Sequence, residues 1–128
     1  MYLLERSLKE LLNQQGIQST TLLSEHDVQN LIRMELAKRN IICFRANVGK
    51  VRIADGRYFD TGLPKGFSDL FGFRPDGQIF FIEVKNKIGR VRPEQVKFIE
   101  RMRSSGALAG VARNIAEALE IIEIEEVE

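Results

Sequence analysis

Two short apolar segments joined by a tight turn limit most strongly what this chain can fold into. Segments 70–73 and 79–82 flank Pro75-Asp76-Gly77, a sequence that favours a turn between two β-strands. Both faces of both segments are apolar, which is typical of central strands covered on two sides. The sequence therefore predicts a β-hairpin at the centre of a sheet that carries helices.

The flanking segments predict a small mixed α/β domain. Helical spacing of apolar residues and a Ser24 N-cap predict a helix over about 24–39, and Pro93 begins a second helix that ends near Gly106. Segment 115–122 predicts a last helix. Segments 41–44 and 108–112 predict strands, and 47–66 fits a ragged hairpin or a flexible loop. Gly72, inside a predicted strand, is expected to mark the close approach of a helix.

The length and composition exclude several classes of protein. A chain of 128 residues is expected to form one domain. Its single cysteine, Cys43, cannot form an internal disulfide, and we expect it to act as a small buried hydrophobic residue. The only histidine, His26, is expected to be exposed. Apolar runs are too short for a membrane helix and no signal peptide is indicated, so we expect a cytoplasmic protein without membrane contact.

The two ends of the chain are interpreted separately from this domain. Residues 1–20 are expected to form a helical extension, because leucines recur at helical spacing before Gly16. Residues 123–128 are expected to be an acidic, solvated tail. The domain itself then covers residues 21–122.

The near-neutral net charge of +1 conceals a basic middle segment. Residues 40–103 carry thirteen Lys/Arg against seven Asp/Glu, a net charge of +6, whereas residues 104–128 carry one Arg against six Glu, a net charge of −5. A basic surface is expected of a protein that binds polyanions, because each neutralised phosphate releases counterions. Charge alone does not separate nucleic-acid binding from a merely basic surface.

Three charged residues converge in the otherwise apolar hairpin. If the turn centres on Asp76, Asp69 lies opposite Glu83, and Lys85 projects from the same face two residues later. One interpretation is a structural salt bridge. The other, which we favour, is a divalent cation held by the carboxylates, because one lysine offsets only part of the cost of two buried, mutually repelling carboxylates.

These residues occur within an ordered set of motifs that resembles the VRR-NUC (virus-type replication-repair nuclease) branch of the PD-(D/E)XK nuclease superfamily. The resemblance covers about residues 24–120, and one departure is Ser68, where many members carry proline. The matching motifs are Ser24-Glu25 with Gln29, Arg45-Ala46-Asn47, Gly66-Phe67-Ser68-Asp69, Glu83-Val84-Lys85, Glu94-Gln95 and the stretch 106–112.

The resemblance implies a restriction-endonuclease-like fold and a metal-dependent nuclease that uses Mg²⁺ or Mn²⁺. Asp69, Glu83 and the carbonyl of Val84 would bind the metal, and Lys85 would assist the attacking water. Glu25 would complete the acidic cluster and Gln95 would support it. Glu35, on the same helix, is the alternative to Glu25.

DNA is the expected partner, and basic residues near the site are expected to contact its backbone. Stand-alone members of the family resemble archaeal Holliday-junction resolvases, so we expect a homodimer that selects branched DNA; the family's name suggests a phage or prophage origin. The alternatives are a single-strand or restriction-type nuclease on the same fold, or a non-catalytic nucleic-acid-binding module. The expected DNA contacts are Lys50, Arg52, Lys65, Lys87, Arg90 and Arg92.

Overall fold

The computed structural model describes residues 22–125, without the side chains of residues 50 and 51. The predicted N-terminal helical extension lies outside this range, as do the last three residues of the acidic tail. The helices are α1 (Glu25–Lys38), α2 (Pro93–Ser104) and α3 (Ile115–Ile121). The strands are β1 (Ile42–Arg45), β2 (Lys50–Arg52), β3 (Tyr58–Asp60), β4 (Leu70–Phe73), β5 (Ile79–Val84) and β6 (Leu108–Ala112).

The main sheet has four strands in the order β1-β4-β5-β6, and the predicted hairpin β4–β5 occupies its centre. β4 is antiparallel to β1 and to β5, whereas β5 and β6 are parallel, so the sheet is mixed. Leu70 pairs with Ile82, which is the register predicted from a turn centred on Asp76. Gly77 provides the positive φ of 88° that this turn requires.

Helices cover the sheet on both faces, which explains why the central strands are apolar throughout. On one face, α1 and α3 pack against alternate residues of β4 and β5, including the fully buried Leu70 and Phe80. On the other face, Ile99 of α2 packs with Phe81 and a cluster of further phenylalanines. The predicted small mixed sheet flanked by helices is confirmed.

The segment between β1 and β4 forms a separate two-stranded sheet, β2–β3. Of the two predicted alternatives, the hairpin is therefore the one present.

The prediction that a helix approaches Gly72 closely was wrong. A Cβ on Gly72 would lie 1.9 Å from the carbonyl oxygen of Ile42, so the close neighbour is strand β1 and not a helix.

The remaining expectations concern single residues and membrane contact. Cys43 is partly buried, and burial raises its pKa to about 11, so it is a thiol at neutral pH. His26 is exposed, as predicted. Among residues 22–125, no helix is long and apolar enough to span a bilayer.

Candidate metal centre and active site

Three carboxylates from distant parts of the chain meet at one end of the central hairpin. Asp69 immediately precedes β4, Glu83 lies near the end of β5, and Glu25 is the first residue of α1. One carboxylate oxygen from each lies within 4.8 Å of the others. Because these residues are up to 58 positions apart, their convergence results from the sheet register and from the packing of α1.

The start of α1 is fixed by a capping box, which places Glu25 in the first helical turn. Asp27 N donates to Ser24 Oγ at 3.0 Å, and Ser24 N donates to Asp27 Oδ2 at 3.4 Å. Glu35, the alternative to Glu25, is buried and paired with Arg39. Ten residues further along the helix, it lies about 15 Å from Glu25 along the helix axis and outside the cluster.

Hydrogen bonds hold one oxygen of each sheet carboxylate. Val84 N donates to Asp69 Oδ2 at 2.8 Å, and Gln95 Nε2 donates to Glu83 Oε2 at 3.0 Å. The Gln95 amide is itself oriented, because its Oε1 accepts from Arg92 N at 2.9 Å at the start of α2. Glu83 Oε1 is buried and has no hydrogen-bond partner among the described residues. A buried carboxylate oxygen without a partner is costly, and a bound cation would satisfy it.

Lys85 carries the positive charge of the site. Its side chain is only 7% exposed, and Nζ lies 3.5 Å from Glu83 Oε2 and 4.0 Å from Glu25 Oε1. The ion pair of the first interpretation is therefore present. One ammonium nevertheless faces three carboxylates, so the four groups together carry a charge of −2 when all are ionised.

The electrostatics of Glu83 reflect this imbalance. Burial, and next the neighbouring Asp69 carboxylate, raise the pKa of Glu83 to about 8, against the lowering effect of Lys85. A divalent cation would favour the ionised form. Oxygen donors are the ligands that Mg²⁺ and Mn²⁺ prefer, so the donor set fits these ions. Val84 contributes a buried side chain and the N–H that holds Asp69.

An open pocket of about 460 Å³ borders Asp69, one of the three carboxylates, and basic side chains lie at its rim. Asp69 and Gln95 line it together with Lys65 and Arg92, two of the expected DNA contacts. Both basic residues are exposed. Lys65 Nζ lies 3.9 Å from a carboxylate oxygen of Glu94, which also lines the pocket.

The other expected DNA contacts lie on two segments outside this pocket. Arg52 is exposed on β2, and the side chain of Lys50 on the same strand lies outside the described atoms. Lys87 and Arg90 are exposed on the loop that follows β5.

Sequence reasoning missed the residues that brace this loop. Arg113 Nη1 donates to the carbonyl oxygens of Asn86 at 2.6 Å and Gly89 at 2.8 Å. Asn86 Oδ1 accepts from Gly89 N at 2.8 Å, and its Nδ2 donates to Leu23 O at 3.0 Å. The loop after Lys85 is thereby tied to β6 and to the segment that leads into α1. No local pattern marks Arg113, since its partners are 24 and 27 residues away.

Comparison with known proteins identifies the family. The family model described as "VRR-NUC domain" matches residues 23–114, about 70% of the chain and all the residues of the acidic cluster. The chain belongs to the VRR-NUC family. The resemblance noted in the motifs is thus confirmed, and this VRR-NUC domain falls among nucleases of the PD-(D/E)XK type, with DNA as the implied substrate.

A solved structure described as "VRR_NUC domain" has the same fold as this VRR-NUC domain. It superposes with a TM-score of 0.55 at 24% identity, over 77% of this chain and 94% of the other. Comparison with curated proteins finds no match.

Proposed function

We propose that this VRR-NUC protein is a metal-dependent DNA endonuclease whose active site comprises Glu25, Asp69, Glu83, Lys85 and Gln95. The observation that carries the proposal is the cluster of three carboxylate oxygens within 4.8 Å of one another, with the Lys85 amine beside them. Such a cluster combines cation ligands with a hydrogen-bond donor, and both stabilise the charge that develops during phosphodiester hydrolysis.

Asp69 and Glu83 would hold Mg²⁺ or Mn²⁺, with Glu25 and the Val84 carbonyl as further donors. When bound, the cation would supply stabilisation of the charge that develops on the phosphate. Gln95 keeps Glu83 Oε2 in place, so that Oε1 remains available to the cation. Each assigned donor is therefore an oxygen, as these hard cations prefer.

Lys85 has a different task, because an ammonium group donates hydrogen bonds and cannot bind a cation. Its buried stem and two carboxylate neighbours hold Nζ at the edge of the acidic cluster. From there Nζ would orient the attacking water or donate to a non-bridging phosphate oxygen. Either role requires the amine to be pre-positioned, and the contacts with Glu25 and Glu83 provide this.

We further propose that the enzyme selects branched DNA and acts as a homodimer, as the resemblance to junction resolvases implies. An exposed apolar face on strands β1 and β4 supports an interface between two copies. It comprises Ile42, Phe44 and Phe73, which are 55%, 50% and 39% exposed. Their register pairs put all three on the same sheet face. The rival interpretations, a restriction-type or single-strand nuclease and a non-catalytic binding module, predict different products.

Cleavage of labelled DNA tests the proposal. Single-stranded, duplex, flap and four-way-junction substrates are incubated with Mg²⁺, Mn²⁺ or EDTA. We expect cleavage only with metal, fastest on a branched substrate, and at least ~100-fold slower for Asp69→Ala and Lys85→Ala. Lys97→Ala, which removes an exposed lysine of α2, is the matched control and should cleave like wild type.

Four other outcomes would count against parts of the proposal. Binding to all substrates without cleavage would favour the non-catalytic module. Discrete products at one sequence of unbranched duplex would favour a restriction-type enzyme, and cleavage confined to unpaired DNA would favour a single-strand nuclease. A monomeric mass in light scattering, unchanged by Phe44→Ser, would overturn the homodimer.

A further inference from the structure

We infer that the β2–β3 hairpin is an arm that binds unpaired nucleotides of the DNA next to the site of cleavage. The arm comprises residues 50–60, that is β2, its turn and β3. This inference rests on the proposed nuclease function and adds to it a class of ligand, unstacked nucleobases, and the surface that binds them.

The root of the arm lies at the active-site pocket. Val48 and Gly49, which lead into β2, line the same pocket as Asp69 and Gln95. Thr61 N donates to Gly49 O at 3.0 Å and closes the hairpin at this point. A DNA phosphate in the pocket would therefore lie beside the residues that lead into the arm.

The arm projects from the domain with its aromatic rings in solvent. All residues from 52 to 60 are exposed, and Tyr58 and Phe59 are 66% and 59% exposed. Ring contacts elsewhere in the described chain join phenylalanines of the core region and include neither of these two. Because Tyr58 and Phe59 are consecutive in β3, their rings lie on opposite faces of the hairpin, and each is accessible to a ligand on its own face.

The turn of the arm is held by its own hydrogen bonds and needs no support from the main sheet. Ile53 N donates to Arg57 O at 2.8 Å, and Gly56 N donates to Ile53 O at 2.9 Å. Asp55 accepts from Arg57 N at 3.0 Å and pairs with the Arg57 guanidinium at 2.6 Å. The rings are thus presented on an ordered hairpin, which reduces the entropy lost on binding.

The chemistry of the arm suits a nucleotide. Arg52 is directly opposite Tyr58 in the register, so the two side chains project from the same face of the hairpin. No described acidic side chain lies within 4 Å of the Arg52 guanidinium. A ring that stacks on a base beside a cation that contacts its phosphate is the arrangement by which proteins bind single strands.

A second copy of this chain is the weaker candidate for the same surface. A stable protein interface buries about 800 Å² and some 20–30 residues on each partner. One face of an eleven-residue hairpin offers only a few large side chains, and these alternate with charged ones. The apolar face on β1 and β4 is the better candidate for dimer contact.

The experiment measures binding without cleavage, in EDTA, to two DNA probes. One is a duplex, and the other is the same duplex carrying a short single-stranded flap with 2-aminopurine at its first unpaired position. The test variant is Tyr58→Leu/Phe59→Leu, which removes both π-faces but keeps apolar bulk. The control is Tyr58→Phe/Phe59→Tyr, which keeps both rings. Circular dichroism verifies that each variant folds.

We expect the leucine variant to lose at least tenfold in affinity for the flap probe and less than twofold for the duplex, because stacking requires an accessible base. The change in 2-aminopurine fluorescence that wild type induces should disappear with it. The ring-preserving control should retain both. Equal binding of wild type and the leucine variant to the flap would overturn the inference.

Two parallel measurements distinguish nucleotide binding by the arm from a dimer contact at the arm, and test the inference independently of the proposed nuclease function. A leucine variant that becomes monomeric while 2-aminopurine still responds would assign the arm to dimer contact and overturn the inference. Metal-dependent cleavage by wild type is scored independently. If it is absent, the proposed nuclease function fails, whereas loss of flap binding in the leucine variant would still support the arm.

Discussion

Burial of Glu83 is costly to the stability of the fold, and the same residue is a proposed metal ligand. Its side chain is almost completely buried, one oxygen accepts from Gln95 and the other has no described partner. A buried carboxylate with an unsatisfied oxygen destabilises a fold unless a cation or a proton compensates for it. Individual residues at this site therefore have effects on stability and on activity that can be measured separately.

Gln95 is expected to act through Glu83 rather than on the substrate. Gln95→Ala removes the hydrogen bond that orients Glu83 Oε2, so we expect metal affinity and cleavage to fall by about 10–100-fold. Titration of Mn²⁺ by calorimetry, beside the cleavage assay, tests this. Lys97→Ala on the same helix is the control. Unchanged Mn²⁺ affinity in Gln95→Ala would contradict the positioning role.

The raised pKa of Glu83 predicts how stability depends on pH in the metal-free protein. The folded state holds this proton up to a pKa of about 8, whereas the unfolded state releases it near its ordinary value of 4.5. The folded state therefore binds more protons between these values, and its stability decreases as pH rises from about 5 to 8. Denaturant unfolding in EDTA at several pH values should show this decrease.

Glu83→Gln provides the comparison for this prediction. A glutamine does not titrate, so the decrease between pH 5 and 8 should be largely abolished. A wild-type protein whose stability rises over the same pH range in EDTA would contradict the prediction.

The loop before β4 and helix α2, which both carry residues of the site, approach each other closely at Gly66. Gly66, in the loop before β4, has a φ of +94°, and a Cβ there would lie 2.3 Å from the carbonyl oxygen of Glu94 in α2. This contact brings the loop that carries Asp69 against the helix that carries Gln95. The glycine is needed for its conformation and for the space it leaves.

We expect Gly66→Ala to lower the free energy of unfolding by more than the cost of placing an alanine at a positive φ. Gly77→Ala is the matched control, because Gly77 has a similar φ of +88° but open space around it. A positive φ costs a side-chain-bearing residue about 1–2 kcal/mol, and the clash at Gly66 adds to that. Unfolding by urea should show the larger loss for Gly66→Ala. Equal losses would exclude a role for the close approach.

Arg113, directly after β6, braces the loop after β5 together with the side chain of Asn86. Arg113→Met leaves two carbonyl oxygens, those of Asn86 and Gly89, without their donor. We expect faster hydrogen exchange at Ile88 and Gly89 and about tenfold slower cleavage, because Lys85 directly precedes this loop. Arg101→Met, at an exposed position of α2, is the control. Wild-type exchange rates in Arg113→Met would contradict the proposed brace.

At the scale of the whole molecule, some basic residues of the middle segment lie at or close to the pocket that Asp69 lines. Lys65 and Arg92 lie at the pocket rim, and Lys87 and Arg90 are on the adjoining loop. The described acidic residues of segment 104–128 lie on α3 and directly after it. Lys65 and Arg92 are therefore the residues of the middle segment that are best placed to contact DNA phosphates at the pocket.

These basic residues predict that DNA binding weakens as the salt concentration rises, and that removal of one of them reduces this effect. Each phosphate contact contributes about −0.9 to the slope of log affinity against log salt concentration on duplex DNA. Lys65→Ala and Arg92→Ala should each reduce the magnitude of the slope by about one. Lys38→Ala, exposed at the end of α1, should leave it unchanged. Anisotropy titrations over a range of salt concentrations measure the slope, and unaltered slopes in both rim variants would refute these contacts.

The sequence alone determined most of the secondary structure and the register of the central hairpin. Local signals sufficed there: a Pro-Asp-Gly turn, apolar strands on both sides of it, and a capping box at Ser24. The two-residue period of a strand then placed Asp69 opposite Glu83 and put Lys85 on the same side. These inferences succeeded because each depends on residues close together in the chain.

Only the tertiary structure decided which distant residues join this pair. Whether Glu25 or Glu35 lies nearer the sheet carboxylates depends on how α1 packs, and both positions fit its helical period. Gly72 approaches strand β1 and not a helix, and Arg113 reaches carbonyls 24 and 27 residues away. No local pattern encodes such contacts, because they arise when elements that are remote in sequence pack around a shared core.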